Sequence, residues 1–454
     1  MHQEVRRYSL LLLAATVAFR SIPSPTHALT IHTISTPKPE GAPRTTTNKA
    51  TMHGRVGSPA VSASSEKMVL SQSSSVDVTA RQIADGFEAR AYRAPWWARE
   101  GHTSTIFGSG EIQKKLGRPG PQVTYRRERW DTPDGDFIDV DFLDCTSNNH
   151  SEVEGEKRAA REEISSSSDS APFAVLTHGL ESTSTAPLTA RMALAFQRKG
   201  FRVAVMCFRS CSGEDNRTLR AYHLGFTDDL EFVCRTLRER HPKSLLFLSG
   251  FSLGGNVISK FLGELGERAR DLGIMGGAVT CVPFDAVSCQ PRVDTGFGKV
   301  VYAKNFLKTL IPKILRKAET DPRVAELVDL ERFRKITTIG EFDDMIIAPF
   351  FGFDDFQDYY RKSQAKQFLK DVRVPFLAVQ ALNDPFMDRE KNNPTLEDLQ
   401  GAPVRLSYHE HGGHCAFVVN DTEENDKGWL ATELARFGDY VASHPPEEEP
   451  VPTG

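Results

Sequence analysis

One stretch of the chain, SLLFLSGFSLGGNVISKFLGEL at positions 244–265, limits the choice of fold more than any other. An apolar, strand-like run ends in a glycine-rich turn that holds one serine, Ser252, and an amphipathic segment begins directly after it. A strained turn between a strand and a helix is the setting that a nucleophile elbow requires. Its neighbours must be small because their Cβ atoms would clash, and Gly250, Gly254 and Gly255 meet that need. The alternative is an ordinary strand–helix turn, so the rest of the chain must decide.

Apolar runs of strand length alternate with helix-like segments through most of the chain. The strand-like runs are residues 137–144, 172–178, 201–208, 244–249, 276–282, 375–381 and 404–409. The helix-like segments are residues 186–199, 228–240, 256–267 and 429–441. Thr227 is the predicted N-cap of the second helix, and Gly200 is the predicted residue just beyond the end of the first. Residues 137–144 alternate apolar and acidic side chains, which predicts a half-buried strand. The alternation of strands and helices predicts an α/β fold with a mostly parallel central sheet and helices on both faces.

The chain has 454 residues, more than the roughly 250–300 at which a single core stops growing, and its composition divides it into segments. We expect an α/β core in two parts, residues 81–290 and 370–443. The aromatic-rich, helix-like residues 291–369 between them are a candidate lid. Within the first part, residues 147–170 are charged and of low complexity, which is typical of a solvated surface insertion. A disordered tail is expected at residues 444–454.

The N-terminal residues have the composition of a targeting leader. Arg6 and Arg7 precede an apolar run at residues 8–19, which is shorter than the roughly 20 residues of a membrane span and fits the apolar region of a signal peptide. We therefore assign residues 1–28 as a signal-like segment and the Ser/Thr/Pro-rich residues 29–80 as a disordered leader. The expectation is entry into the secretory pathway or a plastid. A membrane-anchoring signal and a disordered tail without a targeting role are the alternatives.

Charge and cysteine content exclude several classes of protein. The net charge of −4 and the absence of a basic stripe argue against a nucleic-acid partner. The seven cysteines are scattered and include no Cys-x-x-Cys pair, so neither a zinc ribbon nor a disulfide framework is expected. No stretch after the leader reaches 18 consecutive apolar residues, so the body is expected to be soluble.

A nucleophilic serine needs a base and an acid that orients the base, and in this architecture they follow it in the order Ser, acid, His. Asp384 comes just after a strand-like run, at the edge where open α/β sheets bind ligands, and Asp388 nearby is the alternative acid. His409 ends the last strand-like run, and His411 and His414 follow it. We favour His414 as the base because two glycines before it let its loop reach the serine. No metal-binding helix motif accompanies these histidines, and neither a metal nor an organic cofactor is expected.

The oxyanion of such a reaction needs backbone N–H donors. One is the N–H of Leu253, directly after the serine. The second is expected in the loop after an early strand, where His178 and Gly179 precede Leu180, and we assign it to the N–H of Leu180.

With these residues placed, the chain resembles the α/β-hydrolase superfamily, and within it the YheT-type esterases, which include ABHD-type acylglycerol lipases and plant embryogenesis-associated proteins. The resemblance covers roughly residues 95–441, through GHTSTIFGS, HGLEST, FRSCSGEDNR, AYHLGFTDDL, GFSLGGN, NDPF, HGGH and the aromatic stretch ending at Ser363. It implies the α/β-hydrolase fold and hydrolysis of carboxylic esters. The chain departs from the family pattern at Thr103–Ser104 (usually Leu-Gln), at Ser210 (usually Gly) and at Leu224 (usually Ser).

The sequence therefore predicts a serine hydrolase that cleaves acylglycerol or other acyl-lipid esters through an acyl-enzyme on Ser252, with His414 and Asp384 completing the triad. Two alternatives stay open. His223 and Asp228 match the His-x-x-x-x-Asp pattern of acyltransferases, so the acyl group could pass to an acceptor other than water. A non-catalytic binding module on the same fold is the third reading. Association with a membrane surface is left open, and the sequence predicts no oligomeric state.

Overall fold

A computed structural model describes residues 79–143, 170–421 and 424–445, apart from residues 116, 118, 119, 425 and 426. The predicted signal segment, nearly all of the leader, the low-complexity insertion up to residue 169 and most of the tail lie outside the described residues. A helix at residues 79–86 spans the predicted boundary between leader and body. All described residues belong to the compact unit that runs from Ala63 to Gly454.

The centre of the fold is an eight-stranded sheet with the strand order β1-β2-β4-β3-β5-β6-β7-β8. Its strands are β1 (Arg126–Asp131), β2 (Phe137–Leu143), β3 (Phe173–Thr177), β4 (Arg202–Cys207), β5 (Leu246–Phe251), β6 (Ile274–Thr280), β7 (Phe376–Ala381) and β8 (Val404–His409). Strand β2 pairs antiparallel with β1 and with β4, and every other pairing is parallel. The predicted mostly parallel sheet is confirmed.

The alternating sequence of β2 predicted a half-buried strand, and this prediction is wrong because β2 is buried on both faces. Its acidic side chains Asp139 and Asp141 are each only 2% exposed. They pair with Arg129 and Arg127 of β1, at 2.8 Å and 2.7 Å. The arginines cover the carboxylates and satisfy their charge, which is why two acidic residues are tolerated on one face of a buried strand.

Besides the helix at residues 79–86, the described part of the chain contains eight helices of eight or more residues around the sheet. They are α1 (Gly101–Gly108), α2 (Pro187–Gln197), α3 (Asp228–Arg240), α4 (Leu253–Leu265), α5 (Ala286–Asp294), α6 (Lys304–Thr320), α7 (Phe356–Ser363) and α8 (Trp429–Ser443). Shorter helical segments are Trp96–Ala98, Gly110–Lys115, Arg268–Asp271, Gly296–Gly298, Pro322–Leu327, Leu330–Phe333, Ile339–Phe342, Ala348–Phe351, Lys366–Asp371 and Leu396–Leu399, with π-helical turns at Lys299–Ala303 and Asp343–Ile347.

Helix boundaries follow the sequence signals closely, with two corrections. Gly200 has φ of 81° just beyond α2, as its role after a helix end requires. Thr227 precedes α3 as predicted, but its side chain does not cap the helix and donates instead to Glu264, at 2.9 Å. Helix α4 begins at Leu253 rather than at Asn256, because Ser252 itself is the N-cap residue.

Two apolar layers cover the two faces of the sheet. Side chains of β3 alternate between them: Val175 lies in the layer with α4, and Leu176 lies in the layer with α2 and α8. Alternation of this kind follows from the two-residue period of a strand. Both faces of the sheet are therefore buried under helices. A site is then expected at the edge of the sheet where the parallel strands end.

Residues 291–369, which we call the helical segment, form helices between β6 and β7, as predicted from their sequence. Phe342 and Ile346 from this segment join the apolar layer that contains α4. Its function as a lid stays a prediction.

The six described cysteines are free thiols, five of them buried, including the close pair Cys207 and Cys211; Cys145 lies outside the described residues. Among the described helices, none is both long enough and apolar enough to cross a membrane.

Candidate active site

Ser252 occupies the sharp turn between β5 and α4. Its backbone has φ of 53° and ψ of −126°, a conformation that non-glycine residues rarely adopt. The turn is tight against the neighbouring strand: a Cβ atom on Gly254 would lie 2.8 Å from the carbonyl carbon of Thr177. Small residues are therefore needed beside the turn, as predicted, and Ser252 lies at the N-terminus of helix α4.

The residues predicted as a triad lie within hydrogen-bonding distance of one another. His414 Nε2 is 3.0 Å from Ser252 Oγ, and His414 Nδ1 is 2.8 Å from Asp384 Oδ2. Asp384 follows β7, and its side chain is fully buried. The alternative acid, Asp388, accepts hydrogen bonds from the N–H groups of Glu390 and Lys391 and thus stabilises its own loop.

The loop that carries His414 is fixed by side chains from α1 and from the loop after β7. Thr105 Oγ1 accepts from the N–H of His414 at 2.8 Å, and Asn383 Oδ1 accepts from the N–H of Gly413 at 3.0 Å. Ser104 Oγ donates to the carbonyl oxygen of Gly412 at 3.1 Å. These contacts orient the imidazole, so α1 contributes to the site although none of its residues was predicted to do so.

Electrostatics favour the arrangement of a base oriented by an acid. Burial lowers the pKa of His414, but the charge of Asp384 and its hydrogen bond outweigh burial, and the pKa is raised above its ordinary value of 6.5. The ring also stacks on Phe386, with centroids 4.0 Å apart and an angle of 11°. With the Nδ1 proton directed at the carboxylate, the Nε2 lone pair faces the serine hydroxyl.

The residues that carry the predicted oxyanion donors line the same cavity as Ser252. The N–H of Ser182 donates to the carbonyl of Gly179 at 3.1 Å, which makes Gly179–Ser182 a turn with Leu180 near its apex. Leu180, Leu253 and Ser252 line one cavity. Within the described parts of the chain, the N–H groups of Leu180 and Leu253 donate to no acceptor, so both are free to bind a negatively charged oxygen.

His178 supports this turn. It is fully buried; its Nε2 accepts from the N–H of Phe208 at 3.3 Å, and its Nδ1 lies 2.9 Å from the carbonyl oxygen of Gly179. Because Nε2 accepts, Nδ1 carries the proton and donates. Burial lowers the pKa of His178 to about 4, so the ring is neutral near pH 7. These contacts place His178 behind the turn, where it shapes the turn.

An apolar cavity opens at Ser252. It has a volume of about 140 Å³, and Leu224, Phe306 and Met387 contribute to its walls. A smaller cavity of about 60 Å³ extends it behind Leu180, toward Ile346 of the helical segment. The substitution of Leu224 for the family's serine thus adds apolar surface to the cavity beside the serine.

One carboxyl group, Asp343, lies in this wall without adding charge at neutral pH. Burial raises the pKa of Asp343 to about 8 although a hydrogen bond from Tyr360 works against the shift. A carboxyl that is mostly protonated keeps the wall compatible with an apolar ligand.

A groove of about 710 Å³ borders the imidazole of His414. Its lining includes His414, Ser182 and Val300, and it shares Phe306 and Phe386 with the apolar cavity. The predicted triad therefore lies where an apolar cavity meets a larger groove that is lined by polar and apolar groups.

His223 and Asp228 share no hydrogen bond. His223 is buried among aromatic rings, its Nδ1 accepts from the N–H of Gly225 at 3.1 Å, and burial lowers its pKa to about 3. Asp228 is exposed in the first turn of α3, where acidic groups suit the helix dipole. The geometry therefore gives the acyltransferase pattern no joint role beside Ser252.

Three potential metal ligands in the described part of the chain meet at His414. One ligand atom each from Cys281, His414 and Cys415 lie within 4.8 Å of one another. Both ring nitrogens of His414 already face Asp384 and Ser252. A metal ion there would have to displace one of these two partners, so this cluster does not fit a catalytic metal.

Comparison with known proteins agrees with the geometry. The family model described as serine aminopeptidase, S33, matches residues 171–423. The protein of Escherichia coli (strain K12) named "putative esterase YheT" is 30% identical over 309 residues, which cover 68% of this chain and 82% of that protein. The monoacylglycerol lipase of Saccharomyces cerevisiae is 25% identical over 282 residues, 60% of each chain. The phospholipase ABHD3 of Mus musculus is 26% identical over 298 residues, 66% of this chain and 67% of that one.

The match spans more than half of the chain and includes the turn at Ser252 and the loops of Asp384 and His414. The chain belongs to the α/β-hydrolase superfamily, in its family of YheT-type and ABHD-type carboxylic ester hydrolases.

Proposed function

We propose that the protein hydrolyses acyl-lipid esters through an acyl-enzyme on Ser252. The observation that carries this proposal is the continuous hydrogen-bonded row from Asp384 through His414 to Ser252, at 2.8 Å and 3.0 Å. It is supported by the relatives named esterase, monoacylglycerol lipase and phospholipase.

In the proposed reaction, Ser252 Oγ attacks the ester carbonyl carbon while its proton passes to His414 Nε2. The carbonyl oxygen becomes negatively charged and accepts hydrogen bonds from the N–H groups of Leu180 and Leu253, aided by the N-terminus of α4. His414 then donates its proton to the leaving alcohol as the C–O bond breaks. A water molecule attacks the acyl-enzyme, His414 takes its proton and returns it to Ser252 Oγ, and the carboxylic acid leaves.

The shape of the site supports an acyl chain as the substrate part bound beside the serine. The cavity at Ser252 is narrow and apolar, with an uncharged Asp343 in its wall. The groove beside His414 has room for a large leaving alcohol. Val300 lines that groove and is 62% exposed, which suits approach from a lipid surface.

Activity-based labelling combined with an ester series tests the proposal. A fluorophosphonate should label the wild type and fail to label Ser252→Ala, and glycerol or phospholipid esters should be turned over with a dependence on acyl length. If the probe labels Ser252 while no ester of any acyl length is hydrolysed, the lipid-ester proposal is wrong. Release of the acyl group to an added alcohol rather than to water would instead identify a transferase.

A further inference from the structure

The turn that carries Leu180 has a strained residue at its third position. Glu181 has φ of 54°. Glycine is usual at a turn position with positive φ, and a side chain there costs about 1–2 kcal/mol of backbone strain. Something in the surrounding structure must therefore hold Glu181 in place.

Two side chains grip Glu181 from different parts of the chain. The hydroxyl of Tyr222 accepts from the N–H of Glu181 at 3.0 Å and donates to its Oε1 at 2.9 Å. Lys313, from α6 of the helical segment, places its Nζ 2.6 Å from the same Oε1. Tyr222 in turn stacks on Phe208, the residue whose N–H binds His178, with ring centroids 4.9 Å apart.

The ion pair between Glu181 and Lys313 is shielded from water. The two side chains are 8% and 14% exposed, respectively. A pair at this depth is strongly orientation-dependent, because each buried charge needs the other as its partner. It therefore fixes the position of the turn relative to α6 more firmly than a surface pair would.

We infer that Glu181, Tyr222 and Lys313 form a positioning cluster that holds the Leu180 N–H in its oxyanion-binding orientation and makes it depend on the seating of α6. This inference rests on the proposed function of Ser252. The helical segment then affects the rate of the chemical step as well as substrate binding. When α6 shifts, Lys313 releases Glu181, and the strained turn that carries Leu180 can relax away from Ser252.

The test variant is Lys313→Met, which keeps the length of the side chain and removes its charge. We expect kcat on a short-chain p-nitrophenyl ester to fall roughly tenfold with KM changed less than about twofold, because the loss of a whole oxyanion donor costs about 10²–10³ and here the donor is only misplaced. Binding of a trifluoromethyl ketone, whose oxyanion needs the same donors, should weaken by the same factor. Lys313→Arg should restore most of the activity.

Arg316→Met is the matched control. It removes a cation from the same helix, where Arg316 pairs with Asp215 at 3.0 Å in an exposed ion pair. It should leave kcat and the ketone affinity unchanged. A Lys313→Met protein with the melting temperature, kcat and ketone affinity of the wild type would overturn the inference.

Tyr222→Phe removes only a hydroxyl and keeps the test decisive if Lys313→Met does not fold. It should lower kcat without raising KM; an unchanged kcat would count against the cluster. The proposed function fails separately, namely if Ser252→Ala retains ester turnover. A Ser252-dependent enzyme that is indifferent to Lys313→Met and Tyr222→Phe would refute this inference alone.

Discussion

Substitution of Gly254 by alanine is expected to separate the chemistry of the site from the stability of the fold. The new Cβ would lie 2.8 Å from the carbonyl carbon of Thr177 and nearer still to the carbonyl oxygen of His178. That is roughly 1 Å short of an ordinary carbon–carbon contact. Both neighbours are backbone, so the strand end that leads to Gly179 and Leu180 must move away from α4 by about that distance.

The displaced group is the proposed oxyanion donor, which sets the size of the effect. A misplacement of about 1 Å at a reacting centre costs up to about 10²-fold in rate, so we expect kcat to fall by about 10–100-fold. Crowding costs about 1–3 kcal/mol of unfolding free energy, of which the better helix propensity of alanine returns up to about 1 kcal/mol. The melting temperature should therefore fall by only a few degrees.

Gly263→Ala is the matched control for this experiment. It lies on the same helix, and its new Cβ would meet the carbonyl carbon of Phe368 at the same 2.8 Å, away from the triad. Steady-state ester hydrolysis and thermal unfolding should show a similar loss of stability in both variants and a loss of kcat only in Gly254→Ala. Equal kcat in the two variants would refute the assignment of the oxyanion-binding turn.

Four further outcomes follow from the structure. Because the imidazole must be neutral to accept a proton, kcat/KM should fall as pH decreases through the raised pKa of His414, with a midpoint above 6.5. A rate that is independent of pH between about pH 5 and 8 would contradict this pH dependence. Asp384→Asn should lower kcat by about 10⁴-fold. Burial works to raise the pKa of Asp141, but hydrogen bonds from Arg127 and Ser184 hold the pKa below its ordinary value of 3.8. Arg127→Met should therefore cost about 1–3 kcal/mol in urea unfolding near pH 7. The cost should shrink as pH falls below 3.8 and through the lowered pKa of Asp141, because the carboxyl then becomes protonated. Ser210 has a strained backbone, with φ of 62°, and its side chain exchanges hydrogen bonds with Asn216. Ser210→Ala should lower the free energy of unfolding by about 1–3 kcal/mol, whereas Ser210→Gly, which relieves the strain, should lower it less. Equal losses in the two variants would contradict the role of strain.

The sequence predicts those parts of this molecule that depend on local pattern. The parallel strands are apolar runs bounded by turns, so β3, β4, β5, β6, β7 and β8 were each found within a few residues. The order of Ser252, Asp384 and His414 along the chain predicts that they lie close together, because the ends of parallel strands meet at one edge of the sheet.

Features that depend on distant partners were missed. Strand β1 reads Arg-Arg-Glu-Arg-Trp-Asp, which has no apolar period, and it becomes a strand because its arginines pair with acidic residues of β2. Thr105 and Asn383 bind the His414 loop, yet nothing local in their sequence distinguishes them from residues of an ordinary helix or turn. Lys313 is likewise one of several lysines on α6 until the fold places it against Glu181. The signal available beforehand was that 101–109 and the Asn-Asp-Pro-Phe stretch belong to the family resemblance.

The central claim is that the acyl group is carried by Ser252, and trapping that intermediate tests it most directly. The protein is mixed with excess of a p-nitrophenyl ester, quenched in acid within milliseconds to seconds, digested and analysed by mass spectrometry. The expected result is an acyl adduct on the peptide that contains Ser252, a burst of alcohol release that matches it in amount, and the loss of both in Ser252→Ala. Ester hydrolysis that persists at the wild-type rate in Ser252→Ala, or an adduct located on another residue, would contradict the account.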